Sequence, residues 1–220
     1  LVIIERNGGY LTPGYKRSLF TSKVCCFYHF DTIKSLTPES FVEKLKIDFP
    51  SLETIVVGYD FHFGKNKAGN AQQLEVLFDK NVVIVDEVSI DGIPVHSRTI
   101  KAYLKEGKVE MANLLLGRNY HIDGIVVRGQ GLGKKELVPT INLKVKSYQL
   151  PLEGVYATRT QIEDEWFNSV SFIGHRVTTD DSFAVETHIL DKEIDEVNAT
   201  QNGRSPLCNG DRLLPMNAAK

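Results

Sequence analysis

Apolar and polar positions along this chain follow two different rhythms, and the change from one to the other happens once. In the first half, short apolar runs stand at Leu1–Ile4, Val24–Tyr28, Thr54–Val57 and Val82–Val85, mostly of β-branched or aromatic residues. Runs of that length and make-up suit strands covered on both faces. Helical spacing fills the gaps between them. Phe41, Leu45 and Phe49 repeat every four residues behind Thr37, which suits a helix cap, and Pro38, which suits the first helical position. Leu74, Leu77 and Phe78 mark a second helix, and Ser97–Glu106 and Val109–Leu116 predict two more, with Gly107 and Gly117 as stops. Strands alternating with helices predict a parallel α/β sheet over residues 1–117.

The rhythm changes after Gly117. Short alternating runs at His121–Val127, Val155–Thr160, Val170–Ile173 and Phe183–Ile189 are separated by clusters of Gly, Pro, Asn and Asp, with no helical pattern between them. This predicts a small all-β barrel or sandwich over residues 118–197, with a domain boundary near Arg118. From Asn198 the periodicity stops in turn-forming residues, so residues 198–220 are expected to be a disordered tail. The first residue is Leu1 rather than Met, and the opening apolar run reads as a strand already under way. A segment is therefore expected to be missing upstream.

Composition narrows the function classes. The 220 residues are 42% hydrophobic and 25% charged with a net charge of −2, and no long basic run occurs. That turns the reading away from a general nucleic-acid or membrane-surface binder. Cys25, Cys26 and Cys208 lack zinc-site spacing and are expected to be reduced thiols of a cytoplasmic protein. No apolar stretch approaches the roughly 18 residues of a membrane span.

Two segments of the first half carry candidate chemistry. Val56–Lys65 begins at the end of a strand, and Gly58 can let the chain turn where open α/β folds bind nucleotides. Gly64 and Gly69 bracket Lys65-Asn66-Lys67, suited to phosphates, although an ordinary surface turn would look the same. Pro94–Lys101 opens a helix, whose first turn offers unpaired N–H groups to a phosphate. Arg98 and Lys101 there would supply charge, or would simply form a solvated helix face.

In the second half, Gly124–Gly133 reads as a strand and a glycine-rich turn, whose backbone N–H groups could approach phosphate oxygens or merely close a β-turn. Thr140 and Asn142 are two residues apart, so in a strand they face the same side and could offer oxygens to Mg²⁺. Glu186 and His188 share a face of another strand. A carboxylate at Glu186 could accept a proton from an attacking hydroxyl, or pair with a neighbouring strand.

Taken in order, Gly124–Gly133, Pro139–Asn142, Gly154-Val155-Tyr156, Ile173-Gly174-His175-Arg176 and Glu186-Thr187-His188 resemble the riboflavin kinase pattern. Gly58–Gly64 looks like the G-x-D-F-x-F-G loop of the FAD synthetase module, and His96–Lys101 is similar to that family's I-S-S-T-x-I-R motif, sharing Ser97 and Ile100 and placing Lys101 where arginine is usual. The resemblance is thus to bacterial bifunctional riboflavin kinase/FMN adenylyltransferases, cut short at both ends. It implies a Rossmann-like α/β nucleotidyltransferase domain over residues 1–117, followed by a small all-β Greek-key barrel over residues 118–197. It implies riboflavin, FMN and ATP as substrates, with Mg²⁺ bound alongside ATP. By the resemblance, Gly58, Asp60, Phe61 and Phe63 would line the FMN and ATP site, and Ser97, Arg98 and Lys101 would contact ATP. Gly131 and Gly133 would belong to the phosphate-covering loop, Thr140 and Asn142 would hold Mg²⁺, and Glu186 would be the catalytic base.

Departures from the pattern carry expectations of their own. No H-x-G-H motif occurs in the 220 residues, which implies a lost or weakened adenylyl transfer. Lys134–Val138 replaces R-T-L-G-F, putting Leu137 where glycine is expected; Phe172 and Val177 replace an asparagine and a proline. The rival from another class is a non-catalytic flavin- or nucleotide-binding fragment, and turnover separates the two. An unrelated cytosolic α/β protein would fail to bind flavin at all.

Overall fold

The computed structural model describes residues 1–6, 8–127, 140–162, 165–175, 183–190 and 214–215. Gly131, Gly133, the Lys134–Val138 replacement and Val177 lie outside the described residues. The chain divides into two compact units, one made of residues 1–7 and 14–94, the other of residues 8–13 and 95–220.

In the first unit, β1 (Val2–Glu5) pairs in parallel with β2 (Cys26–His29). The short α1 (Phe30–Ile33) leads to α2 (Pro38–Asp48). Thr37 starts α2 as the sequence predicts. Its backbone is extended and its hydroxyl accepts the Ser40 N–H at 3.2 Å, while Pro38 occupies the first turn, where a missing N–H costs nothing. Next come β3 (Thr54–Gly58), β4 (His62–Phe63), β5 (Gly69–Asn70), α3 (Ala71–Leu77) and β6 (Asn81–Val85). β3 and β6 run parallel, with Thr54 opposite Asn81 and Gly58 opposite Val85. A parallel pair needs a crossover, which β4, β5 and α3 supply. Asn70 and Gln73 cap α3 reciprocally, each side chain bonding the other's backbone N–H. The hairpin of β7 (Ser89–Ile90) and β8 (Ile93–Pro94) ends the unit. Ile33, Phe41, Val42, Leu45, Phe63, Leu74 and Phe78 form its core.

For β3 and β6 the expectation of cover on both faces is overturned. Ile55, Val57 and Val82 pack against the core, whereas Val56, Val83 and Val85 stay 61%, 41% and 44% exposed. Among the described residues β1–β2 and β3–β6 are separate two-stranded sheets. A valine-rich run therefore signals a strand without signalling how many of its faces are covered.

The second unit opens with α4 (Ser97–Lys105) and α5 (Val109–Leu116), which end at the two expected glycines. Its strands are β9 (Gly124–Val127), β10 (Ile141–Val145), β11 (Gly154–Ile162), β12 (Glu165–His175), β13 (Phe183–Ile189) and β14 (Leu214–Pro215). They form one sheet in the order β14-β11-β12-β13-β10-β9, every neighbour antiparallel, with no closure into a barrel among the described residues. Within residues 198–220, Leu214 and Pro215 are described, and they pair with Ala157 and Tyr156 of β11.

The compact division falls between Pro94 and Val95, upstream of the change in sequence rhythm near Arg118. The physical reason is that α4 and α5 pack within the second unit. The Leu152 N–H donates to the Leu104 carbonyl at 2.8 Å, and the Tyr120 N–H donates to Asn113 Oδ1 on α5 at 2.7 Å. Tyr120 is fully buried, and its hydroxyl donates to the Gln149 carbonyl at 2.5 Å. Gln149 in turn donates its N–H to Tyr10 at 2.8 Å, so one phenol ties α5, the 8–13 segment and the chain before β11 together.

Burial raises the Tyr120 phenol above its ordinary value, because the anion would lose its hydration. The folded state thus favours the protonated form, and this stabilisation is present below the unfolded value of about 10 and lost as pH rises beyond it. Tyr120→Phe is expected to cost about 1–3 kcal/mol at neutral pH by leaving the Gln149 carbonyl without this donor. The gap between parent and variant should narrow as pH is raised through 10 to 11. Urea unfolding followed by the fluorescence of Trp166, the single tryptophan and a residue of β12, reads this unit.

Candidate functional site

In the second unit the strand register assembles the candidate groups. β10 pairs with β13 so that Asn142 lies directly opposite Glu186. Directly opposed residues of an antiparallel pair share a face, with Cβ atoms about 4.5–5.5 Å apart. The same row continues outward in both directions: Val127 stands opposite Asn142, Phe172 opposite Glu186, and Val155 opposite Phe172. A carboxylate and an amide thus sit side by side, both half-buried, with apolar neighbours in the row. Thr140 is half-buried just before β10, two residues from Asn142. The opposite face of the sheet carries the buried Leu143, Tyr156, Ile173, Val185 and Ile189. Glu186 and Asn142 are therefore held by a strand pair whose other side is anchored in the interior.

His188 shares the face of Glu186 and stands opposite Val170, one pair further along. His175 lies at the end of β12, where its Nδ1 is 3.1 Å from Glu153 Oε1 and its ring meets Phe183 edge-on. Those contacts account for His175 structurally. Phe172 is the residue that motif reading left without a role. Its position beside Glu186 follows from the pairing register, which no single segment of sequence reveals.

In the first unit, the candidate loop leaves β3 through a tight turn. The Phe61 N–H donates to the Gly58 carbonyl at 3.0 Å, and the Tyr59 N–H donates to the Val85 carbonyl at 2.9 Å. Gly58 forms this turn without left-handed backbone. A side chain at Gly58 would instead place its Cβ 3.4 Å from Asp60 Oδ1. Asp60 is exposed, and His62 Nδ1 donates to its carbonyl at 2.8 Å.

The two loop phenylalanines divide their labour. Phe63 is 5% exposed and packs on Phe41 with ring centroids 5.4 Å apart. Phe61 is half-buried and stacks on Phe63 at 5.5 Å with an interplanar angle of 16°. Phe61 is thus the aromatic surface, and Phe63 the buttress that keeps it in place. Two glycines make this possible. Gly69 runs over the Phe63 ring, where a Cβ would come within 2.8 Å of Cζ, and Gly64 has φ +74° with Pro38 2.9 Å from where a Cβ would sit. Lys65 and Lys67, between these glycines, are exposed, and the Lys65 N–H donates to the Leu36 carbonyl at 2.6 Å.

Ser97, Arg98 and Lys101 occupy the first turn and a half of α4, within the second unit. Ser97 and Arg98 are exposed, and Lys101 is half-buried. His96 precedes the helix without a side-chain cap, and no acidic residue lies in the first turn. The start of α4 thus keeps its positive dipole end uncompensated by local side chains, a favourable place for an anion. Among the described residues no group of three or more His, Cys, Asp or Glu is placed to hold a metal ion, and no helix is long and apolar enough to cross a membrane.

Comparison with known proteins matches both halves. Residues 116–202 match the riboflavin kinase family model, and residues 18–99 match the FAD synthetase model. A bifunctional riboflavin kinase/FMN adenylyltransferase of Pseudomonas fluorescens is 32% identical over 77% of this chain and 56% of its own length. One of Listeria monocytogenes is 30% identical over 86% of this chain and 63% of its length. The chain thus spans about three-fifths of the length of these curated relatives. A solved structure described as a macrolide-efflux protein from Streptococcus pneumoniae superposes with a TM-score of 0.73 at 24% identity, over 88% of this chain and 70% of that one, a likeness of fold. With both domain models matched in series and bifunctional relatives spanning both, this chain belongs to the riboflavin kinase/FMN adenylyltransferase family.

Proposed function

We propose that this chain acts in FMN and FAD biosynthesis, phosphorylating riboflavin to FMN and adenylylating FMN to FAD, each with ATP, the second step being impaired in this chain by the lack of an H-x-G-H motif among its 220 residues. The observation that carries the kinase half is Asn142 directly opposite Glu186, within the segment matched by the riboflavin kinase model. Residues 118–197 form the kinase domain in this reading, completed as a Greek-key barrel. The placement of β10 beside β13 rather than beside β11 supports that topology. Residues 1–117 form the Rossmann-like nucleotidyltransferase domain, and residues 198–220 a tail. The parallel β3–β6 crossover supports that reading of the first domain.

Glu186 is the base. Half-buried among Asn142 and Phe172, its carboxylate takes the proton of the riboflavin 5′-hydroxyl as that oxygen attacks the terminal phosphorus of ATP. ADP leaves, and the phosphoryl group ends on the flavin. Thr140 and Asn142 offer a hydroxyl and an amide oxygen beside the carboxylate, a hard-oxygen set that fits Mg²⁺. Mg²⁺ bound with ATP supplies neutralisation of phosphate charge. Gly131 and Gly133 are assigned to the phosphate-covering loop on the resemblance alone. In the other half-reaction, Phe61 presents an aromatic face to the flavin over the Phe63 buttress. Gly58 and Asp60 shape the turn beside it, and Ser97, Arg98 and Lys101 at the start of α4 meet phosphate.

Chromatography of products after incubation with riboflavin, ATP and Mg²⁺ tests the kinase half. FMN should form, and Glu186→Gln should lower its rate at least about a hundredfold, in line with loss of a general base. Undiminished turnover in that variant would remove Glu186 from the role. Binding without turnover in the parent chain would leave the non-catalytic reading.

The flavin site of the first unit has a test of its own. Phe61→Ala is expected to weaken FMN binding about two- to tenfold, for a stacking loss of ~0.5–1.5 kcal/mol. Phe63→Ala should instead destabilise the unit by about 3–5 kcal/mol, as a buried ring does. Quenching of flavin fluorescence reads the first effect, and thermal unfolding reads the second.

A further inference from the structure

The interior face of the sheet holds an unusual amount of hydroxyl. Thr160 and Ser169 are each 2% exposed, Ser171 7% and Thr187 1%, in positions where a sheet core ordinarily carries aliphatic side chains. They are not scattered. Thr160 Oγ1 lies 2.8 Å from Ser169 Oγ, which lies 2.7 Å from Thr158 Oγ1. Thr158 Oγ1 lies 2.9 Å from Ser171 Oγ, which lies 2.8 Å from Thr187 Oγ1. Five hydroxyls thus form one unbroken chain across β11, β12 and β13, ending on the residue next to Glu186.

Hydrophobicity alone does not orient the middle of β12. Its central inward residues are Ser169 and Ser171, and the outward residues between and beside them are Val170 and Phe172. A slip of one residue would turn Val170 and Phe172 inward and the serines outward together with the buried Ile173, so the apolar pattern does not by itself choose between the two arrangements. The same slip would undo the present pairing with β13 and take Phe172 away from Glu186, while the row shared with Asn142 is held separately by β10. What opposes the slip is the hydroxyl chain. Each member left inside without its partner would be a desolvated hydroxyl with no hydrogen bond, and a run of linked members raises that penalty together. Thr187 is the neighbour of the candidate base along β13, so holding its side chain inward fixes Glu186 on the outer face.

We infer that the hydroxyl chain Thr160–Ser169–Thr158–Ser171–Thr187 is the element that sets the β12–β13 register, and that Thr187 and Ser171 are thereby positioning residues for Glu186. The catalytic half of this inference rests on the kinase reading above; the register half does not. Buried polar groups that specify register at the expense of apolar packing are an attested use of such groups.

Val170 and His188 are directly opposed on the outer face, so their Cβ atoms point the same way within disulfide reach in this register and to opposite faces after a one-residue slip. In the full chain with Cys25, Cys26 and Cys208 changed to serine, Val170→Cys with His188→Cys should cross-link on mild oxidation, scored by mass spectrometry. Adding Thr187→Val, which keeps shape and deletes the hydroxyl, should cut the cross-link yield severalfold, and Thr187→Ser should retain it. In the otherwise native chain, Thr187→Val should lower kcat for FMN formation about tenfold or more with KM for ATP within about twofold, as expected when a catalytic group is displaced but binding is kept. Thr187→Ser should restore kcat. Unchanged cross-linking and unchanged kcat in Thr187→Val would overturn the inference. If that variant does not fold, Thr158→Ala severs the chain between Ser169 and Ser171 without touching β13, and unchanged cross-linking there overturns it equally. A parent chain that cross-links yet makes no FMN sinks the kinase reading, and the cross-link response to Thr187→Val still decides the register role.

Discussion

The antiparallel register of β13 is the constraint on which the candidate kinase site depends. β13 is held on one side by β10 and on the other by β12, and both pairings place Glu186: opposite Asn142 on one strand and opposite Phe172 on the other. The proposed division of roles needs Asn142 and Glu186 side by side. They are 44 positions apart in the chain, and only the sheet brings them into one row. Because side chains alternate along a strand, an error of one residue in either pairing would not merely shift this site but would send one of its members to the other face.

The two faces of that sheet are made of different materials. The inner face mixes Tyr156, Ile173, Val185 and Ile189 with a run of linked hydroxyls; the outer face carries the carboxylate and amide next to Val155, Val170 and Phe172. A sheet built on contrast between an oily inside and a polar outside would have left little apolar surface beside Glu186. Here the reverse arrangement gives the carboxylate an apolar neighbour, and hydrogen bonding inside does the sorting that hydrophobicity does elsewhere.

The first unit solves a different problem, that of presenting an aromatic ring on a loop. Loops are ordinarily mobile, and a flavin-sized partner needs a fixed surface. Phe63 reaches back into the core formed with Phe41, Val42 and Leu74, and Phe61 stacks on it from outside. The side-chain-free backbone at Gly69 lets the chain pass over the ring, and Gly64 lets it turn against Pro38. The spacing of two phenylalanines and two glycines in the loop is thus one packing arrangement.

Much of this was legible from the residues in order. Thr37 and Pro38 announced α2 to the residue, Gly107 and Gly117 marked the ends of α4 and α5, and the Phe183–Ile189 strand matched its alternation. These features are local: a cap, a stop or an alternation is decided by neighbours a few residues away. The candidate residues Thr140, Asn142 and Glu186 were likewise visible as types and spacings. Three things were settled only in three dimensions. The valine-rich strands β3 and β6 turned out to be covered on one face, because coverage depends on which distant elements pack there. Helices α4 and α5 joined the second unit through Leu152 and Tyr120, contacts invisible in their own pattern. The pairing of Asn142 with Glu186, and the hydroxyl chain behind it, arose from strands meeting across long separations. Sequence alone determined which elements form and which chemistry they carry; tertiary structure decided which of them face each other, because register and burial are properties of pairs.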